Sequence, residues 1–360
     1  MIPVKEHLKD LQRIQNPVAR AGYLRLDKNE NIVGFEKELI DILRKEITSD
    51  FLTTYPEVNP LYQKIARWIE CNQENIYITA GSDAAIKSVF EVFVEPGDAV
   101  ALISPTYAMF YVYTEMFQGR LIEIRYKKGL SLSTEDILKV IYKHKPKLIC
   151  IANPNSPTGT ILSKEDLKNI VAVAAGQNTI VLLDEAYHLF YPLSSIDLIY
   201  NHPNLVVTRT FSKAMGLASA RLGFAAGHPD IIRYLQKVRP IYETNAFAIR
   251  FAELILDFPD LIKKNVQEIM SGKKYLEDEL DKLGTPYYKS YTNFILIDVG
   301  SFERSVQLGN ALYQKKILIK SGFTDEVLRN CIRVTVGSVK QMEFFMDKFK
   351  EALYSLKEKP

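Results

Sequence analysis

Cysteine is scarce in this 360-residue chain: only Cys71, Cys150 and Cys331 are present. An odd number, widely spaced and without a C-x-x-C pair, excludes a disulfide framework and a thiolate zinc site. Each lies among apolar residues, so all three are expected as buried free thiols, in keeping with a reducing cytoplasm. Histidine is sparse too. His7, His144, His188, His202 and His228 show no HxxxH or HxH spacing, and no metal is expected. Long hydrophobic runs are missing: no uncharged stretch holds the roughly 18 apolar residues of a spanning helix. The longest, residues 148–163, contains Asn, Pro, Ser and Gly. The N-terminal MIPVKEHLKD mixes both charge signs and has no apolar h-region, so no signal peptide is expected. Nor does one sign of charge prevail. Lys and Arg number 46 against 43 Asp and Glu, a net +3, too slight a footprint for nucleic acid or an anionic membrane.

What is there reads as a globular protein. Hydrophobic residues make up 47% and charged residues 25%, enough for a large core, and the length suggests two to three structural units. Short apolar runs at 76–80, 99–103, 121–125, 148–152, 180–183, 205–208 and 222–226 read as strands. Several are almost continuously apolar, as strands covered on both faces must be. Helical patterns at 83–94, 164–175 and 230–238 lie between them. This alternation predicts an α/β fold with a mostly parallel, doubly wound sheet. From 243 to 284 the spacing turns helical with a break near Pro259. Strands at 294–298, 317–320 and 332–336, with helices at 303–315 and 340–356, then predict a smaller α+β unit. The expected division is an N-terminal arm contributing to the small domain (1–50, with one helix at 35–47), a large domain (51–245), a helical connector (246–285) and a small C-terminal domain (286–360).

Ligands of open parallel sheets sit at the carboxyl ends of the strands, so the residues following each run are the candidates. They are Gly81-Ser82-Asp83, Ser104-Pro105-Thr106-Tyr107, Asn153 to Gly159 (NPNSPTG), Asp184-Glu185-Ala186-Tyr187, and Arg209 to Lys213 (RTFSK) with Arg221 eight residues on. A glycine, a hydroxyl and free N–H groups at a helix start cradle a phosphate, and Arg221 adds a charge-assisted pair. A strand-end carboxylate, Asp184, suits a protonated pyridinium, and Tyr187 can donate to a phenolic oxygen. Lys213 offers an amine able to form a Schiff base, and Tyr107 a ring to stack on a flat heterocycle. Phosphate, pyridinium, phenolate and aldehyde are the four handles of pyridoxal 5′-phosphate. No G-x-G-x-x-G follows a strand, which argues against a dinucleotide-binding oxidoreductase.

The segments LDKNEN, TYP, AGSDAAI, SPTYAMF, NPNSPTGT, DEAY, TRTFSKAMGLASARLG and CIRVTVGS follow one another from residue 26 to 338. In kind and order they resemble the fold-type I aminotransferases of class I/II, and within them the histidinol-phosphate aminotransferase group. The resemblance implies that Lys213 is the Schiff-base lysine and the proton-transferring base, with Asp184 at the ring nitrogen and Tyr187 at the phenolic oxygen. It implies Ser82, Asp83, Thr210, Ser212 and Arg221 around the phosphate. Tyr55 would reach the cofactor phosphate of a neighbouring subunit, making the active form a homodimer, and Arg333 would grip the anionic end of the substrate. Two positions depart from the family pattern. Ser156 stands where Asn usually precedes Pro-Thr-Gly, so either Ser156 or Asn155 serves the phenolic oxygen. Lys320 stands where the histidinol-phosphate enzymes typically carry arginine, keeping the charge without the planar fork. The implied activity is amino-group transfer between an anionic small amine or amino acid and a 2-oxo acid. The implied alternative is decarboxylation of a phosphorylated amino acid on the same cofactor.

Overall fold

The computed structural model describes residues 4–9, 11 and 20–357. Much of the irregular arm expected before residue 35 lies outside them. The chain runs through strand β1 (Leu24–Leu26) and helices α1 (Lys37–Glu46), α2 (Ser49–Thr53) and α3 (Asn59–Trp68) into a seven-stranded sheet. Its strands are β2 (Ile76–Thr79), β3 (Ala99–Ser104), β4 (Arg120–Arg125), β5 (Leu148–Ala152), β6 (Ile180–Asp184), β7 (Leu205–Thr210) and β8 (Gly223–Gly227), in the spatial order β2-β8-β7-β6-β5-β3-β4. From β7 to β4 every pairing is parallel, and β8 alone runs antiparallel to both its neighbours. The mostly parallel α/β sheet expected from the apolar runs is therefore present. Helices α4 (Ser82–Phe93), α5 (Ala108–Met116), α6 (Thr134–His144), α7 (Lys164–Gly176) and α8 (Pro229–Leu235) cover it.

Alternation along the strands separates two cores. Ile149, Ile151, Val181, Leu183 and Val207 enter one, while Leu148, Cys150, Leu182 and Val206 enter the other. Covering both faces is what makes these strands read as unbroken apolar runs. The helical connector is two helices, α9 (Ala246–Asp257) and α10 (Pro259–Lys282), separated at Phe258 because the residue before a proline leaves the helical region. Beyond it, β10 (Phe294–Asp298) pairs antiparallel with β9 (Tyr287–Tyr288) on one side and β12 (Cys331–Thr335) on the other. Helices α11 (Phe302–Gln314) and α12 (Val339–Lys357) pack on them, burying Phe294, Leu308, Ile332, Phe345 and Phe349 in a third core.

Two expectations are corrected, and three helices are added. The segment expected as a strand at 317–320 is β11 (Ile317–Ile319), which pairs parallel with β1 and meets β12 only through the Lys320–Arg333 bridge. Helices α3, α5 and α6 were not singled out from the sequence. Cys71 is half-buried and not fully enclosed like Cys150 and Cys331, although all three are free. Among the described residues no helix is long and apolar enough to cross a membrane.

Candidate active site

Strand register delivers the central carboxylate. Asp184 ends β6 opposite Thr208 of β7, whose hydroxyl donates to Asp184 Oδ1 at 2.9 Å. Only 5% of Asp184 is exposed. Burial pushes its carboxyl up to about 7, against the pull of the Thr208 hydrogen bond and the Lys213 ammonium. Neighbouring Tyr187 is buried, and its hydroxyl accepts from Asn29 Nδ2 at 2.8 Å. The Lys213 ammonium stands 5.7 Å from the Tyr187 ring centre and donates to the Lys28 carbonyl at 3.0 Å. Tyr107 reaches Asp83 at 3.4 Å, and burial together with Asp83 and Asp184 holds its phenol well above the ordinary value.

A second cluster lies at the start of α4. Gly81, at φ 89°, turns the chain from β2 into the helix, where the first amides, those of Ser82 and Asp83, have no intrahelical acceptor. Arg221 packs against this turn. A Cβ added at Gly81 would stand 2.7 Å from Arg221 Nη2, so only glycine leaves the guanidinium its place. Arg221 donates to Ser212 Oγ at 3.2 Å, and the Ser212 amide donates to Thr210 Oγ1 at 3.1 Å. No carboxylate pairs with Arg221 among the described residues. Two unused amides, three hydroxyls and an uncompensated cation at a helix N-terminus fit a phosphate group.

Arg333 forms the opposite wall. Its Nη2 donates to the Asp27 carbonyl at 2.7 Å and its Nη1 to Ser156 Oγ at 3.4 Å, over the face of Phe294. Its Nε is buried without a partner, and no carboxylate pairs with it among the described residues. Burial lowers its pKa. Lys320 exchanges backbone hydrogen bonds with Arg333 and is itself lowered by burial and by the Arg333 charge. Asp27 is the carboxylate whose charge reaches both, and it is already paired with Arg20, so a part-buried guanidinium and a neighbouring ammonium without an ion pair of their own make a receptor for an anion.

Two sequence candidates stand apart from this constellation. The Asn155 amide is used up between its own loop and the loop that follows β3: Oδ1 accepts from Thr106, while Nδ2 donates to the Pro105 carbonyl and to Thr158 Oγ1. Ser156 is the neighbour that faces Arg333. Tyr55 is 71% exposed and stacks on Tyr242 at 4.0 Å between ring centres, away from Lys213 and Asp184 in this chain. Sequence reasoning missed Asn29 and Thr208. Asn29 does lie within LDKNEN, and its φ of 57° is one that asparagine tolerates. Thr208 is a polar interruption of an apolar strand.

Comparison with known proteins identifies the family and the fold. Residues 23–349 match the family described as aminotransferase class I and II. The histidinol-phosphate aminotransferase of Thermoanaerobacter sp. (strain X514) is 32% identical over 353 residues, covering 97% of this chain and 98% of that one. That of Clostridium novyi (strain NT) is 33% identical and covers 88% of each. Among solved structures, the histidinol-phosphate aminotransferase of Sinorhizobium meliloti in complex with pyridoxal-5′-phosphate superposes with a TM-score of 0.85 at 25% identity, over 92% of this chain and 91% of that one. The chain belongs to the class I and II aminotransferases, fold-type I enzymes that depend on pyridoxal phosphate.

Proposed function

We propose that the enzyme moves an amino group between an anionic, phosphorylated small amine and a 2-oxo acid, with histidinol phosphate, named by its relatives, as the first donor to test. The observation that carries the choice of an anionic donor is Arg333, a part-buried cation whose Nε is buried without a partner and whose one nearby carboxylate, Asp27, is already paired with Arg20. Lys320 adds a second positive charge at the same wall.

Pyridoxal phosphate, when bound, supplies a carbonyl for amine exchange and a protonated ring that accepts electrons from the substrate carbon. The Ser82 and Asp83 amides, the Thr210 and Ser212 hydroxyls and Arg221 would hold its phosphate. Asp184, protonated below about pH 7 while the ring site is empty, would hold a proton at the ring nitrogen. Tyr187 and Ser156 would donate to the phenolic oxygen, with Asn155 shaping the loop beneath them. Tyr107 would cover one face of the ring. Lys213 would carry the cofactor, then take and return the proton at the substrate carbon. Arg333, with Lys320, would orient the donor so that this proton faces the Lys213 amine. Tyr55 would complete the phosphate site of the partner in a homodimer. The functional units in this reading are residues 1–50, 51–245, 246–285 and 286–360. The three free thiols support a reducing cytoplasm as the setting.

The test is Lys213→Ala, compared with wild type in a donor and acceptor screen. Wild type is expected to turn over with ping-pong kinetics, and borohydride is expected to fix the cofactor to it. The variant should do neither, and substantial turnover by Lys213→Ala would sink the assignment.

A further inference from the structure

Lys273 lies on α10, outside every role described so far, and is only 4% exposed. Its ammonium has no carboxylate within hydrogen-bonding reach. It donates to two carbonyls of one turn, those of Ser290 and of Thr292, the latter at 3.2 Å. Buried carbonyls need donors. An apolar residue of similar length would leave two of them without this one.

The turn that Lys273 holds touches both walls of the site. On one side, the Tyr291 amide donates to the Gly159 carbonyl at 2.8 Å, and Ser290 packs so closely that a Cβ at Gly159 would stand 2.6 Å from its Oγ. The Gly159 amide in turn donates to the Asn155 carbonyl at 2.8 Å, closing the loop that presents Ser156 to Arg333. On the other side, Asn293 Nδ2 donates to the Asn29 carbonyl at 3.1 Å, and Asn29 holds the Tyr187 hydroxyl. The Asn293 carbonyl accepts from Val336, just beyond Arg333 on the same segment.

We propose that Lys273 is a positioning residue for amino transfer: by tying the Ser290 and Thr292 carbonyls it sets Ser156 against Arg333 and Asn29 against Tyr187 together. The charge is part of the device. Ammonium-to-carbonyl bonds are stronger than neutral ones, and Lys273 is faced by Glu277 one turn along α10 and by Lys289 beside the turn. Burial pushes its pKa down to about 8. The clamp is therefore charged below that pH and loses its charge above it.

The experiment uses the cofactor-loaded enzyme and the variants Lys273→Met and Lys273→Arg. Lys273→Met should raise KM for the amino donor roughly tenfold or more, the scale of a small misplacement at a reacting centre, with a smaller fall in kcat. Lys273→Arg, which keeps the charge, should restore most of the loss. In wild type, KM should rise as the pH passes about 8, and the arginine variant should lack that rise. Unchanged KM and kcat in a folded Lys273→Met would overturn the inference. If the methionine variant fails to fold, an alkaline rise in Lys273→Arg equal to that of wild type overturns it. The inference rests on the proposed site, so inorganic phosphate binding is titrated beside turnover. Wild type that binds phosphate but transaminates nothing defeats the functional reading. Wild type and Lys273→Met with equal phosphate affinity and equal turnover defeat this one.

Discussion

At the scale of single residues, the site is a set of charges held where water is scarce. Asp184 shows the consequence most directly. Its carboxyl titrates near 7 in the fold and near 3.8 in the unfolded chain, so the native state binds a proton that the unfolded state lacks in between. The stabilisation from that proton is complete below about pH 3.8 and is lost as the pH rises through about 7. The cofactor-free protein should thus lose denaturant resistance between about pH 5 and pH 8. Asp184→Asn should lack that component, as unfolding midpoints across the range would show. With cofactor supplied, the same variant should lose roughly a hundredfold or more in kcat, because a neutral amide cannot hold the ring nitrogen protonated. A variant within a few-fold of wild-type kcat would contradict the role given to Asp184.

At the scale of elements, strand β6 and strand β7 bring their functional ends together through an ion pair behind them. Arg209 donates to Glu185 Oε2 through both Nε, at 3.1 Å, and Nη2, at 2.8 Å, and the two side chains are almost fully buried. Glu185 also accepts from the Ser194 hydroxyl and the Ser195 amide, and the guanidinium stands over Trp68. Each residue follows or precedes a site residue by one position, so the pair fixes where Asp184 and Thr210 emerge. Removing one partner leaves a buried charge alone. Arg209→Met should therefore cost about 3–5 kcal/mol of stability, measurable by denaturant unfolding, and a loss well under 1 kcal/mol would show that the pair does not brace the strands. Both residues stand inside the quoted motifs DEAY and TRTFSK. Their meeting was not legible there, because pairing across 24 positions is set by strand register and not by local spacing.

At the scale of the whole molecule, Tyr55 and Tyr242 stack on the surface beside Ile241, which is 85% exposed, and near Leu52 and Phe247. Apolar patches of this kind mark interfaces, and the proposed homodimer would cover this one. Wild type is expected to sediment as two copies. Ile241→Asp should sediment as one copy and lose most of its turnover, since Tyr55 would no longer reach the partner's phosphate site. A wild type that is monomeric and fully active would remove the dimer from the proposal.

The sequence by itself determined the sheet and the inventory of the site. Apolar runs of strand length alternating with helices are most simply buried in a mostly parallel sheet covered on both faces, and the polar residues that follow its parallel strands then gather at the carboxyl edge. Lys213, Asp184 and Arg221 were legible for that reason, whereas Arg333, inside a strand of the small antiparallel sheet, was legible only through the family resemblance of its segment. Only the tertiary structure decided which groups remain free. It spent the Asn155 amide on Thr158 and on the loop after β3 and left Ser156 facing Arg333, and it brought Asn29 to Tyr187 and Lys273 to the 290–292 turn. Those outcomes depend on which separate elements the fold brings together, across 17 positions for Lys273 and Ser290 and across 177 for Arg333 and Ser156, and such meetings have no period or spacing that a chain can display.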